Sequence, residues 1–275
     1  MSQTPVIIAL MRRAVRRAGR ISDRVRWRLL EALASRRMVR ARGLCFTLNC
    51  DNWITHYRME SFGVSEPETL DWIDRQMQDG DVFFDVGGNI GVYSLYAALR
   101  HPRASVVVFE PEYANLHLLR DNILANGLSA RVHVYPIALS DWTGVSHMHV
   151  QDLTPGAALH TESRGALALT ETGQPVVVSE GTWAMRLDEF CAESGVWPNA
   201  MKIDVDGAEA RVLAGAKETL TRADLHSVLI EAGDERNRGS DVDDRLREAG
   251  FSRVEMARRS EAGNEIWVRD QRVAH

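Results

Sequence analysis

The 275-residue sequence predicts an α/β fold: a doubly wound, mostly parallel sheet that ends in a C-terminal antiparallel hairpin. Three observations carry that expectation. From residue 81 onward, short runs rich in Val, Ile and Phe recur, and helically spaced segments lie between them. The runs are continuous rather than alternating, as strands buried on both faces are. The glycine-dense turn "DVGGNIG" (85–91) sits where the first of these runs gives way to its helix, and doubly wound sheets hold ligands at such strand ends.

In chain order, Met11, Val15, Ala18, Ile21, Val25, Leu29 and Leu33 recur at loose helical spacing between arginine-rich faces. Residues 1–42 therefore read as a basic amphipathic helical arm, and 43–275 as the folded domain. A short strand is expected at Leu44–Leu48. "SEPETLDWIDRQM" starts a helix with Ser65, Pro67 and Glu68. Strands are expected at 81–86, 105–110, 131–139, 200–205 and 227–232. Helices between them are expected at Ile90–Leu99, Tyr113–Asn126, Leu187–Ser194 and Ala208–Leu220. A last helix at Val242–Ala249 precedes "FSRVEMA" and "EIWVRD", which read as the terminal hairpin. Residues 142–186 are too long for an ordinary connection and are expected to hold an inserted hairpin or lid over a ligand site.

The composition, 45% hydrophobic and 26% charged, suits one globular domain. No apolar run reaches the roughly 20 residues that span a bilayer. "VIIALM" (6–11) is short and is followed, not preceded, by its arginines, which argues against a signal peptide and for a cytoplasmic protein. Cys45, Cys50 and Cys191 are odd in number and lack metal-ligand spacing, so they read as core residues in a reducing compartment. Residues 1–42 hold twelve arginines against Asp23 and Glu31, a net of +10. The whole chain carries −5, which leaves −15 on 43–275. An acidic body argues against nucleic acid as a partner. The arm is expected to make peripheral contact with an anionic membrane surface, at the inner face, or with an acidic partner. A helix that is merely packed or solvated is the plainer alternative.

Gly87, Gly88 and Gly91 allow a ligand close to the backbone, but their spacing is not that of the dinucleotide fingerprint. Asp85, directly before them, would repel a pyrophosphate and attract a cationic amine or sulfonium. Glu110 ends the second strand, where an acid accepts both hydrogen bonds of a ribose diol. An acid on each side of the glycines favours an adenosyl ligand that bears positive charge and no phosphate. S-adenosylmethionine fits that description.

The motifs "DVGGNIG", "VFEPEYANLHLLRDNILANG" (106–127), "ALSD" (138–141), "LDEF" (187–190), "KIDVDGAEARVLAGA" (202–216) and "LIEAG" (229–233) occur in order. With them the sequence resembles the FkbM family of S-adenosylmethionine-dependent O-methyltransferases over roughly residues 60–270. Gly88 stands where the family commonly has alanine, and Asp206 where it commonly has glutamate. The resemblance implies a class I methyltransferase (Rossmann-like) fold. It also implies cofactor contacts at Asp85, Gly87, Asn89, Gly91, Glu110 and Asn115, with Ala138 to Asp141 near the adenine or methionyl end. Gly88 joins this cofactor set through the glycine turn. The implied acceptors are hydroxyl groups, often of glycans or secondary metabolites.

Methyl transfer to a hydroxyl must align oxygen, methyl and sulfur and remove a proton. Strand alternation in "KIDVDGAE" places Lys202, Asp204 and Asp206 on one face, and Glu231 ends the next strand. Asp204 is the candidate general base or orienter of the hydroxyl, with Lys202 tuning its charge; Asp206 and Glu231 complete the candidate catalytic set. A buried structural Lys–Asp pair is the alternative. Magnesium held by Asp204, Asp206 and Glu231 is possible chemistry but not the expected one. His147, His149 and His160, in or near the insertion, read as surface or packing residues. His56, Trp53 and Tyr57 are candidate walls of an acceptor pocket, since aromatics stack on sugar faces. Two other readings stay open: a non-catalytic Rossmann-like adaptor working through its basic arm, and an NAD-dependent oxidoreductase, which Asp85 and the glycine spacing disfavour.

Overall fold

The computed structural model describes residues 36–170, 173–231, 240–255 and 263–270. It opens with an antiparallel hairpin, β1 (Arg36–Ala41) and β2 (Leu44–Asn49). The Arg42-Gly43 turn has both φ angles positive, 49° and 83°, as a tight hairpin requires. Residues 36–42, read from the sequence as the end of the helical arm, are thus strand and turn. Val39, Phe46 and Leu48 draw them onto the main core. The rest of the arm lies outside the described residues.

Two helices follow. α1 (Trp53–Ser61) starts in a capping box between Asn52 and Thr55. α2 (Pro67–Gln76) starts on a proline, whose missing N–H is an orphan at that position anyway. Next come β3 (Val82–Val86), α3 (Val92–Arg100), β4 (Ser105–Phe109), α4 (Tyr113–Ala125) and β5 (Val132–Tyr135). After β6 (Ala138–Leu139), the insertion contributes β7 (Gly144–Val150), β8 (Thr161–Ser163) and β9 (Val178–Met185). The chain then returns through α5 (Leu187–Ser194), β10 (Ala200–Ile203), α6 (Glu209–Ala214), α7 (Lys217–Thr221), β11 (Ser227–Glu231), α8 (Ser240–Glu248), β12 (Phe251–Arg253) and β13 (Asn264–Arg269).

The central sheet has seven strands in the order β12-β13-β11-β10-β3-β4-β5. Strands β11, β10, β3, β4 and β5 are parallel, and β13 pairs antiparallel with both β11 and β12. The expected doubly wound sheet with a closing hairpin is therefore present. Its order reverses between β3 and β10, the switch point at which such sheets bind ligands. Alternation along each strand feeds two cores. Phe83, Val106 and Val108 pack with Trp72, Leu95, Tyr96 and Leu118 on one face. Phe84, Val107, Phe109, Met201 and Ile203 pack with Phe190, Val212, Leu213 and Leu246 on the other.

Three elements differ from expectation. The strand expected at 131–139 splits at Pro136, which has no N–H for the ladder; β5 stays in the main sheet, while β6 pairs with β9. The helix expected at 208–220 breaks at Gly215, where an added Cβ would lie 2.1 Å from the Ser140 carbonyl oxygen. The insertion is more than a hairpin: its three strands join β6 in a four-stranded sheet ordered β6-β9-β7-β8. Its β7–β8 connection, residues 151–160, reaches back to the switch point.

Candidate active site

The carboxyl ends of β3, β4, β10 and β11 open into a cavity of about 240 Å³ that the insertion covers from above. The floor is built at Gly87, whose φ is +84° and whose added Cβ would lie 1.8 Å from the Asp204 carbonyl oxygen. Only glycine lets these two strand ends approach so closely. Gly88 and Gly91 serve packing instead, pressed against Val108 and Leu119 respectively.

On the β4 side, Glu110 is buried and accepts hydrogen bonds from the backbone N–H of Asn89 (2.7 Å) and of Glu112 (2.9 Å). Burial outweighs those two bonds and pushes its pKa up to about 8. Glu112 caps α4 by accepting from the N–H groups of Ala114 and Asn115. Phe109, Ile137, Ala138, Leu139 and Met148 supply an apolar wall beside these acids.

On the β10 side, Asp204, Asp206 and Glu231 each bring a carboxylate oxygen within 4.8 Å of the others. Lys202 Nζ donates to Asp204 Oδ2 at 2.5 Å. Burial raises the Asp204 pKa, but Lys202 overrides it and holds the carboxyl below its ordinary value. Burial and the neighbouring Asp204 push Glu231 up to about 10. Glu231 is therefore a carboxylic acid hydrogen-bonded to an ionised Asp204 near neutral pH. Asp206, at a positive φ of 55°, is pushed up to about 6 by burial and Asp204.

A strap, residues 155–159, crosses the cavity and is held from several directions. Asn52 Nδ2 donates to the Pro155 carbonyl and Arg58 Nε to the Gly156 carbonyl. Asn115 Oδ1 accepts from Gly156 N–H, and both Asn89 and Asn115 donate to the Ala157 carbonyl. Leu159 N–H donates to Asp206 Oδ2. Behind the strap Glu162, buried, accepts from Ser140, Ser146 and Arg211.

Of the residues singled out from the sequence, Gly87, Asn89, Glu110, Asn115, Ala138, Asp204, Asp206 and Glu231 line this cavity. Asp85 and Lys202 do not. Neighbours in register on β3 and β10, they face α3 beneath the floor, where Ser94 Oγ donates to Asp85. Asp85 Oδ1 is buried without a hydrogen-bond partner, and burial pushes this carboxyl up. β10 ends at Ile203, so Lys202 stays in the sheet while Asp204 and Asp206 leave it. Asp141 is corrected outright: it is exposed, in a surface depression with Arg186 and Lys217, because the chain turns outward after Ser140 bonds to β9. His56 pairs with Glu60, and Trp53 is 72% exposed. His149 is a buried packing residue that bonds Ser163 and Ser179. His160, read as a surface or packing residue, instead lines the cavity with both ring nitrogens buried and unpartnered. Arg58, Glu66 and Glu162 also line it. No spacing pattern marks these three, since α1, the start of α2 and the insertion bring them in from distant parts of the chain.

Residues 85–253 match the methyltransferase FkbM domain. The 31-O-demethyl-FK506 methyltransferase FkbM of Streptomyces tacrolimicus is 33% identical, over 70% of this chain and 80% of its own. The chain belongs to the FkbM methyltransferase family. The 2-O-methyltransferase NoeI of Sinorhizobium fredii is 27% identical over 58% of this chain and 69% of its own. The hexuronic acid methyltransferase AglP of Haloferax volcanii is 25% identical over 61% and 63%.

An FkbM-family methyltransferase uses S-adenosylmethionine, and the residues present fit that cofactor. Among the described residues seven carboxyl-bearing side chains line the cavity against one guanidinium, Arg58. Such a wall repels pyrophosphate and welcomes a sulfonium and an ammonium. Glu110 and Glu112 beside the apolar wall suit a ribose and an adenine. Among the described residues no helix is long and apolar enough to cross a membrane.

Proposed function

We propose that this FkbM-family enzyme is an O-methyltransferase whose acceptor is a hydroxyl of a sugar or glycosylated metabolite. The observation that carries the reading is the Asp204–Glu231 pair, an ionised carboxylate held beside a neutral one on the cavity wall. A hydroxyl acceptor needs a fixed hydrogen-bond acceptor that also receives its proton, and Asp204 offers both. The relatives named for a 2-O-methyl transfer and for hexuronic acid support the same class.

When bound, the cofactor supplies an electrophilic methyl group on a sulfonium. The chain's residues do the rest. Glu110 and Glu112 hold the ribose end, and Gly87 and Asn89 form the floor. Asp204 would accept the hydrogen bond of the acceptor hydroxyl, align its oxygen and take its proton. Lys202 keeps Asp204 ionised but also weakens it as a base, so orientation is its larger contribution. Glu231, already protonated, donates to Asp204 and fixes its rotamer. His160, kept neutral by burial, is the second group able to take the proton.

The test is methyl transfer from labelled S-adenosylmethionine to glycosides, with the product bond assigned by mass spectrometry. Asp204→Asn should lower kcat by about 100-fold or more while S-adenosylhomocysteine affinity stays within a few-fold. Methyl found on nitrogen or carbon, or full turnover by Asp204→Asn, would sink the reading.

A further inference from the structure

A second depression, about 400 Å³, continues from the cavity and shares Arg58, Glu66, Ala157 and Ala158 with it. It runs between α1, the start of α3 and the strap. We propose that this groove is the acceptor site and that it takes an uncharged pyranose, rather than a uronic acid or other anionic sugar. The inference rests on the O-methyltransferase reading and names its substrate class.

Position is the first argument. The shared residues Arg58 and Glu66 make the junction, and beyond it lie Asp204, Asp206 and Glu231. A ring seated in the groove therefore presents its edge to the methyl-transfer end. Its walls are the second. Tyr57, 56% exposed, offers an aromatic ring to the apolar face of a sugar. Gln151 gives its Nε2 to the Ala158 carbonyl, which leaves its carbonyl oxygen as an acceptor. Asp152 and Glu66 add carboxylates. Arg58, with its Nε on the strap, has its terminal nitrogens left to donate. Acceptors outnumber donors, which matches a ligand rich in O–H groups.

Charge decides the class. Among the described residues the groove has two carboxylates against one guanidinium, and the adjoining cavity adds the carboxylates of Asp204 and Asp206. A ligand carboxylate would enter an acidic field in which Arg58 is the one cation among the described lining residues. The groove beside Tyr113 and Trp183 is also aromatic, but it shares only Pro111 with the cavity and does not reach the acidic cluster.

Saturation-transfer NMR on the full chain with S-adenosylhomocysteine tests this, with methyl glycosides of glucose, fucose, rhamnose and glucuronic acid as probes. At least one neutral glycoside should be saturated, with the glucuronide at least threefold weaker. Tyr57→Ala and Ser65→Trp, both at exposed positions, should each cut the signal at least threefold. Affinity for S-adenosylhomocysteine should hold and so report an intact fold. The proposal fails if no neutral glycoside is saturated, if the glucuronide matches the best of them, or if Trp183→Ala removes the signal and the groove variants do not. Methyl transfer to the same sugars is read separately. Saturation without methylation upholds the groove and overturns the reading of the chemistry. Methylation unaffected by Tyr57→Ala and Ser65→Trp overturns the groove alone.

Discussion

A carboxyl group buried among hydrocarbon gives up its charge unless a cation or enough N–H donors face it. Asp204, Glu231 and Glu110 divide along that line. Asp204 has Lys202 and stays ionised; Glu231 has only Asp204 and stays protonated. Lys202→Met, which leaves a buried acid without its cation, should lower unfolding free energy by about 3–5 kcal/mol, read by denaturant titration. Glu110, pushed up to about 8, titrates in the working range. A carboxyl whose folded pKa is raised stabilises the fold below its unfolded pKa, and the contribution is lost as pH rises through the folded value. The ligand-free melting temperature should therefore fall between about pH 5 and 8, less so in Glu110→Gln. A ribose diol donates to the ionised form, so S-adenosylhomocysteine affinity should rise over the same interval and flatten in that variant. An affinity that declines with pH would refute the assignment.

At the scale of elements, the β3–α3 turn tolerates no side chain at its first glycine. Gly87→Ala drives a methyl into the Asp204 carbonyl at a left-handed φ. It should destabilise by about 3 kcal/mol or more and abolish cofactor binding, as calorimetry would show. The strap should loosen in Asn115→Ala, which removes partners from both Gly156 N–H and the Ala157 carbonyl. Amide exchange at Gly156 should accelerate by about 30-fold for two bonds worth about 1 kcal/mol each. These elements also separate what the sequence disclosed from what it hid. The βα core was legible because Phe83–Phe84 and Val106–Val108 are apolar on both faces, which only a covered parallel strand requires. Glu110, Asp204 and Glu231 were legible because they end such strands. The strap was not: Ala157 reaches Asn89 over 68 residues and Asn115 over 42, through a backbone carbonyl that any residue supplies. α1 stayed hidden because its apolar positions are few, and Arg58 with it. Asp141 misled because motif order says which strand end a residue follows, not which way the chain then turns.

At the scale of the molecule, a ligand that binds only the folded state stabilises it by mass action. S-adenosylhomocysteine at 100 times its Kd should add about 2.7 kcal/mol, and NADH none. The chain's charge is divided as well, with +10 on residues 1–42 against an acidic remainder. If the basic segment meets anionic lipid, changing the eight arginines between 12 and 28 to glutamine should end co-sedimentation with phosphatidylserine vesicles; unchanged sedimentation would remove that role. The strap has one more consequence. Ala157 and Ala158 wall both the cofactor cavity and the groove, so the acceptor's binding surface is complete only when the strap is down. If the strap settles only after the donor has entered, the spent donor leaves when it lifts. Steady-state kinetics should accordingly be sequential and ordered. S-adenosylhomocysteine should compete with the methyl donor alone, and turnover should slow with solvent viscosity as strap opening becomes the step that limits each cycle.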